Sequence, residues 1–136
     1  MGNITDQVAA VAMCPFVSNL LGVDSEFKPA TPVYTYVDTR PSKVIPGMPS
    51  IFDKEQLNQR TGCVLHATYL PARFTGLAQD QPEIMAQVQY WMTTGEFLHA
   101  QLFGKTAVGY PVASWSGLFD RTRFRWEDEV LGNLLL

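Results

Sequence analysis

Cysteine is scarce in this sequence, and the spacing of the two that exist removes two kinds of chemistry. Cys14 and Cys63 form no CxxC pair and have no histidine set beside them as a recurring ligand, so neither a zinc site nor a redox motif is signalled. They read as ordinary thiols of a reducing compartment. Positive charge is also in short supply. Ten Lys and Arg stand against thirteen Asp and Glu, giving a net charge of -3, whereas a general nucleic-acid surface draws its affinity from clustered cations. The one cluster, Arg121, Arg123 and Arg125, sits beside Glu127, Asp128 and Glu129 and reads as a solvated turn. No apolar run approaches the ~20 residues of a membrane span, and the opening MGNITDQ has no basic leader, so no membrane partner and a cytoplasmic location are expected. A phosphate-binding GxxxxGK[ST] is missing too, because Gly104-Lys105-Thr106 lacks the earlier glycine.

What remains is a chain of 136 residues, 46% hydrophobic, enough for one core and too short for two comfortable ones. Its order of short apolar runs and helical patterns predicts a single α/β unit. Residues 7–14 (QVAAVAMC) read as a buried strand stopped by Pro15, residues 16–24 as a second strand, and residues 32–37 as a further extended run after a polar turn. Three prolines and a glycine make residues 41–49 a loop of restricted shape. Residues 51–61 permit a helix ended by Gly62, a helix opens at Pro71 and runs through Phe74, Leu77 and Ala78, and another follows from Pro82 to about Gln89. Tyr90-Trp91-Met92 reads as a central strand. Thr93 and Glu96 have the form of a capping box for a helix that Gly104 stops. The apolar ending, residues 130–136, predicts an amphipathic helix with a sticky surface, hence self-association or a completing polypeptide.

Three segments carry a resemblance. AVGYPVASWSGLFD, residues 107–120, leads into RTRFRWEDEV, with Tyr110, Ala113, Ser114, Gly117, Leu118, Phe119, Asp120 and Trp126 in the places of a TDYSxASxTGLFD pattern followed by a Trp-Asp or Trp-Glu helix start. Leu20, Val23, Asp24, Thr31, Pro32, Asp38 and Arg40 match MHSLxxVD and TPxxxWxDxR, with Ser18 in place of histidine and Tyr36 in place of tryptophan. RTGCVLHATYLPARF, residues 60–74, is similar to RTGCPxHxxYxPAK, with Arg73 where lysine is common. Together these resemble the interior of the N-terminal domain of the FGGY carbohydrate kinases, gluconate and xylulose kinase-like.

The resemblance implies a ribonuclease-H-like, actin-like ATPase fold and, in a complete family enzyme, ATP and Mg as cofactors for phosphorylating a sugar or sugar acid. It places Asp38 and Arg40, with Ser18 and Asn19, at the border of the sugar site; a charged pair closing a strand end is an equal reading of Asp38 and Arg40. An arginine fork suits a sugar carboxylate. Where the resemblance sets the aspartate that deprotonates the sugar hydroxyl, the chain has Gly109. No Asp-x-Gly-Thr hairpin occurs, so residues 1–136 are expected to be one partial domain lacking the phosphate-binding hairpin and the C-terminal domain. No catalytic, nucleotide-binding or metal residue is then assigned, and no cofactor is expected for this chain alone. A carbohydrate kinase-related protein, inactive by itself, is one reading; a non-catalytic sugar-binding or assembly module is the other. His66 reads as a packed or capping histidine, and Asp120 as a turn residue bonded to nearby amides.

Overall fold

The computed structural model describes residues 8–134. Strand β1 (Leu21–Val23) pairs antiparallel with β2 (Tyr90–Met92) in the register Leu21 opposite Met92 and Val23 opposite Tyr90. On its other side β1 is flanked by isolated bridges from Leu20 to Tyr34 and from Val23 to Pro29. Among the described residues β2 has no second partner and Tyr90 is exposed, so the strand expected to be central forms a sheet edge.

Gly22 sits where the sheet leaves no room for a side chain. A Cβ there would run into Val88 Cγ2 and meet Thr31 Cγ2 at 3.1 Å, while its amide donates to Thr31 Oγ1 at 2.8 Å. Val88 is β-branched and stiff at χ1, so it cannot swing aside. Gly22→Ala is expected to cost roughly 1–3 kcal/mol through overpacking, read as a lower urea midpoint at unchanged m-value.

The helices follow the sequence closely. Asp53 caps α1 (Lys54–Thr61) by accepting from Glu55 N and Gln56 N. A proline opens α2 (Leu70–Asp80) and α3 (Pro82–Gln87) within the first turn, where the missing N–H costs nothing. The capping box forms as expected at α4 (Thr94–Phe103): Glu96 N donates to Thr93 Oγ1 at 3.2 Å and Thr93 N to Glu96 Oε2 at 2.8 Å. Gly104 ends α4 at φ 68°, a conformation glycine adopts at little cost. A short α5 (Tyr110–Ser114) leads to the hairpin β3 (Phe119–Asp120) and β4 (Arg125–Trp126), then α6 (Asp128–Leu134). Asp120 does hold the hairpin turn, Oδ1 accepting from Thr122 N at 2.8 Å and Arg123 N at 3.0 Å.

The core lies between α2, α6 and the proline-rich segment, joining Leu20, Met48, Phe52, Phe74, Leu118 and Val130. Four expectations need correction. Residues 8–14 are exposed and in no ladder with any described residue, so the expected buried strand is not formed; Gln7 lies outside the described residues. In residues 16–24 only Leu21–Val23 is strand, because Ser18 turns the chain at φ 57°. The proline-rich loop is two 3-10 turns, Arg40–Lys43 and Ile45–Ser50, since proline fixes the φ that such turns need. The apolar positions Val130 and Leu134 of α6 face inward and are buried, so that helix does not present them as a sticky face; Leu135 and Leu136 lie outside the described residues.

Candidate functional site

Tyr34 and Leu20 exchange backbone hydrogen bonds at 2.8 and 2.9 Å, which brings the two parts of the expected site to one end of the molecule. On the Tyr34 side, Asp38 and Arg40 form a closed fork. Arg40 Nε donates to Asp38 Oδ1 at 2.8 Å, Nη2 to Oδ2 at 2.7 Å, and the Arg40 amide to Oδ1 at 3.1 Å. Hydrogen bonding from Arg40 holds the Asp38 carboxyl below the usual carboxylate range, and the Arg40 pKa rises in return. The guanidinium carbon also lies 5.5 Å from the Tyr34 ring centroid, a cation–π contact. The Arg40 side chain is 57% exposed against 18% for Asp38. The fork is therefore anchored at its acid and open at its base.

This pairing alters what Arg40 can do. Two donors, Nε and Nη2, already hold Asp38, so the side-on edge is closed to a substrate carboxylate and only the end-on edge of Nη1 and Nη2 stays free. Nη1 and the spare lone pairs of Asp38 remain, a donor and acceptors side by side, the pattern that two neighbouring hydroxyls match. The pair borders a crevice of about 20 Å³, the size of a single water. It also borders an open groove of about 340 Å³ flanked by Pro32, Val37 and Ile84.

Arg73 organises this end, and the sequence reading marked it only as standing where lysine is common. It is 2% exposed. Its guanidinium donates to three carbonyls, Nε to Thr68 O at 3.1 Å, Nη1 to Tyr34 O at 3.3 Å and Nη2 to Thr35 O at 2.8 Å, tying α2 to the segment that carries Asp38. Burial pulls its pKa below the ordinary arginine value. The signal was present in the sequence, since Leu70, Arg73, Phe74 and Leu77 recur at helical spacing and put the arginine on the apolar stripe. Lys43 pairs with Asp80, which lines the same crevice.

Asn19 stands on the Leu20 side and is 2% exposed. Its Oδ1 accepts from Thr94 N at 2.6 Å and its Nδ2 donates to Phe16 O, so the side chain ties the start of β1 to the N-terminus of α4. Ser18 beside it is half-buried. The four expected site residues thus form two pairs, one exposed fork and one structural brace, joined by the Leu20–Tyr34 bridge.

A second cavity, about 480 Å³, lies elsewhere, between α2, β2 and α5, among Leu70, Phe74, Trp91, Val112 and Leu118. Three of its polar side chains are engaged: Glu96 and Thr93 bond one another, and Ser116 Oγ donates to Ala113 O while accepting from Leu118 N. Gly109 is the residue that precedes α5, in extended backbone at φ -77°, and a Cβ there would meet only Pro111 Cδ, at 3.7 Å. Its place is that of a helix N-cap, which an aspartate would also suit. His66 is exposed and accepts from Thr68 N at 3.3 Å, a turn-capping role rather than a packed one. Among the described residues no group of three His, Cys, Asp or Glu side chains gathers to hold a metal, and no helix is long and apolar enough to cross a membrane.

Comparison with known proteins gives the frame. The chain is 20% identical over 125 residues to the gluconokinase of Bacillus subtilis (strain 168), covering 92% of this chain and 24% of that protein. It superposes on the gluconate kinase from Lactobacillus acidophilus with a TM-score of 0.81 at 21% identity, and on the ligand-bound xylulose kinase from the same organism with 0.82 at 21%, covering in each case 88% of this chain and 24% of the other. The chain thus spans about a quarter of the length of these relatives. The shared fold is the ribonuclease-H-like N-terminal domain of the sugar kinases. The profile of the FGGY family of carbohydrate kinases, N-terminal domain, matches residues 3–135, and the chain belongs to that family.

Proposed function

We propose that this chain is the sugar-holding part of a cytoplasmic carbohydrate kinase and that by itself it transfers no phosphoryl group. The observation that carries this reading is the Asp38–Arg40 fork at the edge of a 340 Å³ groove. Clefts from about 300 Å³ upward are of ligand size. The fork holds a sugar or sugar acid through neighbouring hydroxyls, Arg40 Nη1 donating and Asp38 accepting. Ser18 and Asn19 complete the substrate face, Asn19 by positioning rather than by contact, since both its polar atoms are engaged.

ATP and Mg are the cofactors of a complete family enzyme, and the residues described here do not fit them. Phosphoryl transfer needs a phosphate cradle and acidic metal ligands. The described residues gather no acidic cluster. We assign those groups, and the base for the sugar hydroxyl, to the part of the relatives' length that this chain does not span, so residues 1–136 act as a partial domain.

Titration calorimetry with gluconate, xylulose and glycerol, with and without ATP and magnesium, tests the reading. Binding of at least one of them, unchanged by ATP, lost in Arg40→Ala and accompanied by no ADP formation, is the expected result. ADP formed in step with sugar phosphate would sink the claim of inactivity. No binding at all would leave an assembly module. The pH profile adds a check. Because Arg40 depresses the Asp38 pKa, the fork is intact above the ordinary aspartate value of about 3.9 and is lost as pH falls through the lowered folded value. The sugar affinity is therefore level across neutral pH and down to about pH 5, with no step near the ordinary histidine value of about 6.5.

A further inference from the structure

Two spaces border the Asp38–Arg40 fork, the crevice of about 20 Å³ and the groove of about 340 Å³, and four residues line both: Tyr34, Asp38, Arg40 and Gln81. Three of them already have a part in the site. Gln81 has none, although its place is closely fixed. It precedes Pro82, and a residue before proline is kept out of the helical region, so the chain breaks between α2 and α3 with Gln81 at φ -142° and ψ 56°. Its backbone is fully used at that break. The amide donates to Leu77 O at 2.8 Å, and the carbonyl accepts from Ile84 N at 3.0 Å and Met85 N at 3.2 Å. Its side chain does not cap α3.

Tyr34 aims that side chain instead, its hydroxyl donating to Gln81 Oε1 at 3.3 Å. Tyr34 is a stiff support. It is 7% exposed, exchanges backbone hydrogen bonds with Leu20, and its carbonyl accepts from Arg73 Nη1. Burial raises its pKa above the ordinary tyrosine value, so the phenol remains a donor at neutral pH. One ring serves two partners: its face meets the Arg40 guanidinium at 5.5 Å and its hydroxyl meets Gln81. The bond to Oε1 leaves the two donors of Nε2. Beside the acceptors of Asp38 and the free edge of Arg40, the groove therefore holds a second, neutral donor.

We propose that Gln81 is a further substrate contact of this groove, donating through Nε2 to a hydroxyl oxygen of the sugar, and that Tyr34 is the positioning residue that aims it, an inference that rests on the groove being the sugar-holding site. A hydroxyl is the matching chemistry because it accepts from the amide and donates onward, as the lone pairs of Asp38 require. The 3.3 Å bond is long for a hydroxyl donor, so Tyr34 steers the amide more than it holds it. Its loss should cost less than that of Gln81.

Calorimetry of the purified chain with gluconate, xylulose and glycerol tests this. Gln81→Met should weaken binding of whichever ligand the parent takes by about three- to tenfold, the worth of one neutral hydrogen bond. The urea midpoint should not move, since the side chain caps no helix start. Tyr34→Phe keeps the ring under Arg40 and should weaken binding about two- to threefold. Beside Gln81→Met the same change should add nothing, because its effect passes through the amide. Gln79→Met, exposed on α2 and lining neither space, should bind as the parent does. If Arg40→Ala abolishes binding while Gln81→Met binds as tightly as the parent, the fork keeps its role and Gln81 loses its own. A Tyr34→Phe loss that persists undiminished beside Gln81→Met would overturn the positioning role. Binding of none of the three ligands by the parent removes the sugar-holding reading, and this contact with it.

Discussion

Arg73→Met is expected to lower the free energy of unfolding by roughly 3 kcal/mol, more than any other single change at the candidate site. The substitution keeps the buried volume approximately filled, so the loss is polar. Three carbonyls, of Thr68, Tyr34 and Thr35, lose a charged donor inside the protein. Arg73→Lys should cost less, about 1 kcal/mol, because an ammonium keeps the charge and three donors without the planar fork that spans three acceptors. Urea unfolding of the three proteins measures this. A methionine variant within about 0.5 kcal/mol of the parent would show that the carbonyls find water instead, and that Arg73 does not hold the segment carrying Asp38. The same comparison bears on function: a loosened Thr35 should weaken sugar affinity even though Arg73 lies behind the fork.

Phe74→Ala should cost about 3–5 kcal/mol. Phe74 is buried in the main core, and its ring meets Trp91 edge-on, with centroids 5.5 Å apart and planes at 70°. It therefore joins α2 to β2, and its removal enlarges a space that is already about 480 Å³. Cavity-bordering atoms cannot all relax inward, so both the transfer and the cavity terms apply. The readouts are the unfolding free energy and the tryptophan emission, which should move to longer wavelength as water reaches Trp91. An unshifted spectrum with a loss under about 1 kcal/mol would mean that the neighbouring side chains collapse into the gap.

The parts legible in the sequence were those whose partners are close along the chain. The Thr93–Glu96 box, the Asp120 turn and the Gly104 stop each close between residues a few positions apart, and each formed as read. The family match was legible for a related reason, since its motifs are local strings. The site was half legible. Asp38 and Arg40 are two residues apart, so a charged pair was foreseeable, but its closed geometry was not. That geometry leaves only the end-on edge of the guanidinium for a carboxylate.

What the tertiary structure decided depends on residues far apart. Arg73 acts on Tyr34 and Thr35, 39 and 38 positions away, and Asn19 braces Thr94 across 75. No local pattern encodes such pairs, because closing a long loop is set by the packing of everything between. The strand pattern of residues 8–14 shows the opposite limit. Its sequence determined a preference for pairing, apolar on both faces, yet a strand exists only when another backbone satisfies its amides. Composition, caps and turns belong to the sequence alone. Which buried polar groups meet, and whether a strand-forming segment finds its partner, is decided by the fold.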